Sequence, residues 1–159
     1  MYQSEFVFAY GSNMDPAQMR ERCPESDLSW FVAEARGWKL CFLRRSERRK
    51  GGVGSIAVDE TKSVWGVVFS VSARDLGRLD GFEGVPTCYR RDQITAADRE
   101  GRDYVVWTYF AVPAEPPQEY EPHKHYIGLY VKGAEYFGLP PQYVEFLRGL
   151  EARTRGSAL

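Results

Sequence analysis

Few of the signals that assign a chain at a glance occur in these 159 residues. Cysteine is scarce: Cys23, Cys41 and Cys88 are odd in number, and none lies in a C-x-x-C or other metal-ligand spacing. Neither a disulfide framework nor a zinc site is implied, and a reducing compartment is the simpler expectation. Histidine is scarcer still. His123 and His125 stand two apart, a spacing that diverges on a helix, and no third ligand is evident, so no metal or other cofactor is expected. No apolar window approaches a membrane-spanning length, and residues 1–10 lack a cationic start followed by an apolar run and a small-residue cleavage site. The expectation is a cytoplasmic protein that makes no membrane contact. Charge of neither sign dominates. Lys and Arg number 21 against 22 Asp and Glu, so no whole-molecule field draws the chain to nucleic acid. With no repeat, low-complexity tract or composition shift, residues 1–153 are expected to form one domain, with residues 154–159 fraying.

What is present is a chain long enough to bury a core, 43% of it hydrophobic. Residues 5–10 (EFVFAY) read as a buried strand that stops at Gly11. Residues 28–35, 38–43, 55–58, 64–71, 89–96 and 104–112 also carry the β-branched and aromatic pattern of strands, about seven in all. Asp15-Pro16 supplies an N-cap and first-turn proline for a short helix to about Arg22. Ser72 with Asp75 resembles a capping box for a helix to about Phe82, with Glu83 just beyond it. Residues 123–137 and 141–151 read as two more helices, separated by Gly138-Leu139-Pro140. Many strands with few helices imply an α+β fold, with a barrel as one form.

Two segments could carry chemistry. In Tyr10-Gly11-Ser12-Asn13-Met14 a strand ends in a glycine-containing turn whose backbone N–H groups could converge on a carboxylate. An ordinary Asx or Ser turn would look the same. Leu79-Asp80-Gly81-Phe82-Glu83-Gly84-Val85 sets one carboxylate between glycines and apolar residues at a helix end, where burial and the helix dipole would both raise its pKa. A solvated turn glutamate is the alternative. Three further features have mainly bland readings. Cys88 beside Glu83 could suggest a thiol hydrolase, yet no orienting Asn or Asp motif accompanies it. The run Arg44-Arg45-Ser46-Glu47-Arg48-Arg49-Lys50 could touch RNA phosphate or an anionic substrate, but such runs are usually solvated loops. No aromatic residue is interleaved in it, so no nucleic-acid partner is expected.

In combination these segments resemble the gamma-glutamylcyclotransferase family. The residues that carry the resemblance are Phe8 to Met14, Gly51-Gly52 with Ser55-Ile56, Val64 to Val68, Leu79-Asp80 with Glu83-Gly84-Val85, then Pro122, Tyr126, Gly133-Ala134, Gly138-Leu139-Pro140, Tyr143 and Leu147. It spans roughly residues 5–151. It implies a small mixed β-barrel of about five to seven strands flanked by a few helices, a small-molecule gamma-glutamyl substrate, and release of 5-oxoproline, with a homodimer as a family-level expectation. By the same resemblance Glu83 is the general acid/base and Tyr10, Gly11, Ser12 and Asn13 bind the gamma-glutamyl group. Tyr126, and less directly Tyr89, would contact substrate or position Glu83; packing is the alternative for both. Pro122-His123-Lys124-His125-Tyr126 departs from the serine often found after that proline, which leaves the leaving group open. A non-catalytic binding module of the same fold, or a cyclotransferase for a specialised gamma-glutamyl amine, are the competing readings.

Overall fold

Strand pairing in the computed structural model, which describes residues 4–113 and 116–154, closes on itself. Strands β1 (Ser4–Ala9), β2 (Trp30–Ser46), β3 (Gly51–Ser72), β4 (Tyr89–Ala97) and β5 (Asp103–Ala111) form a barrel in the order β1-β3-β2-β4-β5. Neighbours are antiparallel except β1 and β5, which meet in parallel at Val7 and Trp107, so the barrel is mixed. Helices α1 (Pro16–Arg22), α2 (Ala73–Glu83), α3 (Lys124–Phe137) and α4 (Pro141–Arg153) complete an α+β fold. None of the described helices is long and apolar enough to cross a membrane.

The seven strand-like runs of the sequence fall on five strands. Residues 28–35 and 38–43 lie mostly within β2, because Gly37, at φ +85°, sits in a register shift that bends the strand without ending it. Opposite it the register jumps from Ser63 to Val58, so residues 59–62 bulge from β3 and are polar through exposure, not because the chain reverses. Runs 55–58 and 64–71 are thereby one strand.

Side-chain alternation divides the core. On β1, Val7 and Ala9 join a cluster with Ile127, Tyr130, Ala134 and Phe137 of α3 and Leu147 of α4. Phe8 packs instead with Ala33, Val68, Val106 and Phe110. Helices can cover only the outside of a closed barrel, so the second cluster fills its interior. Burying each of these large side chains contributes about 1.5–3 kcal/mol. Local signals fix the helix starts: the Asp15 carboxylate accepts from the N–H groups of Ala17 and Gln18, and Ser72 Oγ from that of Asp75. At the chain's other end Thr154 is buried and its N–H bonds back to Leu150 and Glu151, so it caps α4; residues 155–159 of the expected tail lie outside the described residues.

Candidate active site

Beyond the end of β1 the chain turns through Gly11-Ser12-Asn13-Met14, closed by the Met14 N–H on the Gly11 carbonyl at 3.0 Å. The N–H groups of Gly11, Ser12 and Asn13 donate to no acceptor among the described residues. α3 can lie against this turn because Gly133 has no side chain: a Cβ there would sit 2.4 Å from the Met14 carbonyl oxygen.

Glu83 enters from α2. It is the last residue of that helix, not the residue beyond it, because left-handed Gly84 (φ 70°) forms the C-cap and bonds back to the Asp80 and Gly81 carbonyls. Asp80 pins this helix end to the barrel. It takes a bidentate pair from Arg91 on β4 at 2.8 and 3.1 Å, and the Tyr109 hydroxyl of β5 at 2.8 Å. So held, Glu83 Oε1 accepts from Asn13 Nδ2 at 2.8 Å, while Asn13 Oδ1 accepts from Gln18 Nε2 at 3.1 Å. Arg22 Nη1 stands 4.0 Å from the same carboxylate oxygen, and the Glu83 side chain is only 13% exposed. Burial raises its carboxyl above the usual range; the Asn13 hydrogen bond and the charges of Arg22 and Arg49 oppose that rise without cancelling it.

Tyrosines surround this carboxylate. The Gly54 N–H donates to Tyr126 Oη at 2.9 Å, and the Gly54 carbonyl accepts from the Tyr89 hydroxyl at 3.0 Å. Tyr126 and Tyr130 share a hydrogen bond at 2.9 Å between their hydroxyls. The Tyr10 hydroxyl is committed to the Tyr109 carbonyl at 2.6 Å, which leaves its ring to line the site. Burial raises the pKa of Tyr10, Tyr89 and Tyr126, so all three are neutral phenols at physiological pH.

The seven residues singled out in the sequence converge on two adjoining hollows. An inner one of about 40 Å³ is lined by Tyr10, Gly11, Tyr109 and Tyr130 among others; an outer one of about 350 Å³ opens beside α1 and the β2–β3 hairpin. Ser12, Asn13, Glu83, Tyr89 and Tyr126 line both, so Glu83 stands at their junction. A larger, shallower hollow near Arg99 and Pro140 contains none of them.

Some residues of the site escaped the sequence reading. Tyr130 was signalled by its position one helical turn after Tyr126, and Gly54 by an unusual glycine cluster within a strand. Tyr109 and Arg22 carried no local signal, since only the barrel and α1 bring them here. The basic run, for which the sequence left open a solvated loop or contact with an anionic substrate, lines the outer hollow with Arg44, Arg45, Arg48 and Arg49, of which Arg45 and Arg48 are exposed. His123 caps α3, its Nδ1 accepting from the His125 N–H at 3.1 Å. Cys88 is half-buried, with Sγ 3.6 Å from Arg44 Nη2.

A family model described as AIG2-like matches residues 63–147. Mouse gamma-glutamylcyclotransferase is 32% identical over 154 residues, which cover 91% of this chain and 77% of the mouse protein. The human gamma-glutamylcyclotransferase is 30% identical over 159 residues, covering 94% and 80% respectively. A solved gamma-glutamyl cyclotransferase structure superposes with a TM-score of 0.85 over 99% of this chain and 91% of that one, at 26% identity.

Proposed function

The chain belongs to the AIG2-like family of gamma-glutamylcyclotransferases, and we propose that it converts a gamma-glutamyl amino acid or amine to 5-oxoproline and the free amine, with Glu83 moving the proton. The observation that carries the assignment of Glu83 is its place: a buried carboxylate of raised pKa at the junction of two hollows, one oxygen held by Asn13.

The substrate supplies its own nucleophile. Its α-amine attacks its γ-carbonyl carbon, a C–N bond closes the five-membered ring, and the bond to the departing amine breaks. Ionised Glu83 takes the proton that the attacking amine must lose and returns it to the leaving nitrogen, so one carboxyl serves both transfers and no water is consumed. A carboxyl raised toward neutrality suits both directions better than an ordinary one.

Because the reacting groups share one molecule, the protein's main task is to hold the glutamyl chain folded, and effective molarities of about 10⁵ M or more are attainable when geometry is right. The uncommitted N–H groups of Gly11, Ser12 and Asn13 suit the substrate α-carboxylate, which would set the neighbouring amine beside Glu83. Tyr126 and Tyr89, locked to Gly54, form the wall against which the chain folds. The free thiols of Cys23, Cys41 and Cys88 favour a reducing compartment, and we place the reaction in the cytoplasm.

The test is 5-oxoproline release from gamma-glutamyl amino acids, followed by mass spectrometry. Glu83→Gln keeps the shape and the Asn13 contact but cannot exchange the proton. It is expected to lower kcat by about 10²–10⁴ with KM little changed. Equal turnover by the variant would overturn the role of Glu83, and glutamate in place of 5-oxoproline would make the protein a hydrolase.

A further inference from the structure

The outer hollow holds more positive charge than proton transfer at Glu83 accounts for. Arg22 from α1 and Arg44, Arg45, Arg48 and Arg49 from the β2–β3 hairpin line it. Three of these have acidic neighbours: Arg22 approaches Glu83 at 4.0 Å, Arg49 acts on the same carboxylate at longer range, and Arg45 pairs with Glu47. Among the described residues no carboxylate forms an ion pair with Arg44, Arg48 or Arg49. The Arg44 guanidinium has weaker company, the Val112 carbonyl at 3.4 Å and Cys88 Sγ at 3.6 Å, and Arg49 lies over the Tyr126 ring at 5.4 Å. Arg48 is exposed at the rim.

Like charges gathered around one hollow repel one another and raise the local concentration of anions. Guanidinium groups match carboxylate and phosphate oxygens in a planar, two-pronged geometry. The position of the cluster is specific to one part of the substrate. With the glutamyl α-carboxylate on the Gly11 to Asn13 turn and the scissile amide at Glu83, the departing amine extends into the outer hollow.

We propose that this hollow is a leaving-group subsite for an amine carrying two negative charges, with Arg44, Arg48 and Arg49 as its contacts. The inference rests on the cyclotransferase reading above. One carboxylate, as in a simple amino acid, engages one guanidinium fork. A dicarboxylic or phosphorylated amine engages more of the three and neutralises the cluster before it leaves.

The discriminating experiment measures 5-oxoproline release from four gamma-glutamyl conjugates: alaninamide, alanine, aspartate and phosphoethanolamine. Their leaving groups carry none, one and two carboxylates, and a phosphate. The expected result is a rise in kcat/KM, mainly through KM, on the order of tenfold from neutral to dianionic conjugates, shrinking as salt is raised. The aspartate and phosphoethanolamine arms tell a dicarboxylate from a phosphate. Arg48→Gln, at an exposed position, and Arg44→Gln are each expected to compress the ratio of dianionic to neutral substrates. Turnover that ignores leaving-group charge, or a ratio unmoved in both variants, would overturn the subsite while leaving the cyclotransferase in place. No 5-oxoproline from any conjugate would remove the activity and the subsite together.

Discussion

The two hollows that meet at Glu83 are built by opposite means. Around the inner one, polar groups constrain each other: Gly54 bonds Tyr126 and Tyr89, Tyr126 bonds Tyr130, and Tyr10 bonds the Tyr109 backbone. Around the outer one, arginines of a hairpin hold few partners, and Arg45 and Arg48 are exposed. A buried network tolerates little change because each unsatisfied member costs about 1–3 kcal/mol. A solvated charge cluster tolerates substitution, since surface changes usually stay within about 0.5 kcal/mol. In the proposed reaction the contrast would divide labour: the inner wall would fix the geometry of ring closure, and the outer one would be free to select what leaves.

Gly54→Ala tests that division most severely. A Cβ there would stand 1.8 Å from the Tyr130 hydroxyl oxygen, so Tyr130 or β3 must move, and with it the hydrogen bonds that hold Tyr126 and Tyr89. Overpacking of this kind costs about 1–3 kcal/mol of stability, and a shift of about 1 Å in a positioning group lowers turnover about 10²-fold. Thermal melts and kcat on the folded variant check both figures. Arg48→Gln in the outer hollow should leave the melting temperature within about 2 °C of the parent protein. If Gly54→Ala were equally silent, the inner network would not be a rigid element.

The sequence announced these two regions unequally. The turn after β1 and the α2 cap were legible as local patterns of turn residues and an N-cap, whereas the local pattern at Glu83 fitted a solvated turn as well, and the resemblance alone singled it out. The resemblance supplied Tyr126 and Tyr89, but not the reason they sit where they do, which is the backbone of Gly54 on a different strand. Five strands looked like seven because Gly37 in β2 and polar residues 59–62 in β3 each imitate a turn, and only the pairing of β2 with β3 shows them as one irregularity within continuous strands. The arginine run resembled a solvated loop because solvation and pocket lining share a composition. What decides between them is the fold of the hairpin over Glu83, a long-range property with no local signature.

A change at the junction sharpens the comparison next. Arg22 lies near Glu83 and stacks over the Phe82 ring at 4.8 Å, so it belongs to the outer wall while acting on the inner carboxylate. Its positive charge favours ionised Glu83 against the burial that raises the pKa. Arg22→Gln removes that support, the pKa rises further, and the ionised base appears only at higher pH. The acid limb of kcat/KM should therefore move to higher pH, with the activity at alkaline pH less affected. A limb that stayed in place, or moved to lower pH, would show that Arg22 does not couple to Glu83.

The smallest expected effect concerns stability. Burial raises the folded-state pKa of Glu83 above its unfolded value, so ionisation is harder in the native protein than in the unfolded chain. The favourable contribution of the protonated group is complete below the unfolded pKa and is lost as pH rises through the folded pKa. Glu83→Gln carries no such titration, and its carbonyl can still accept from Asn13 Nδ2. The variant should therefore gain on the parent protein with rising pH, reaching an advantage of about 1 kcal/mol at neutral and alkaline pH and a smaller one in acid. Denaturant titrations at several pH values measure the difference. A stability gap that did not widen with pH would mean that Asn13 and the arginines already offset the burial, leaving the carboxylate no more strained than one in water.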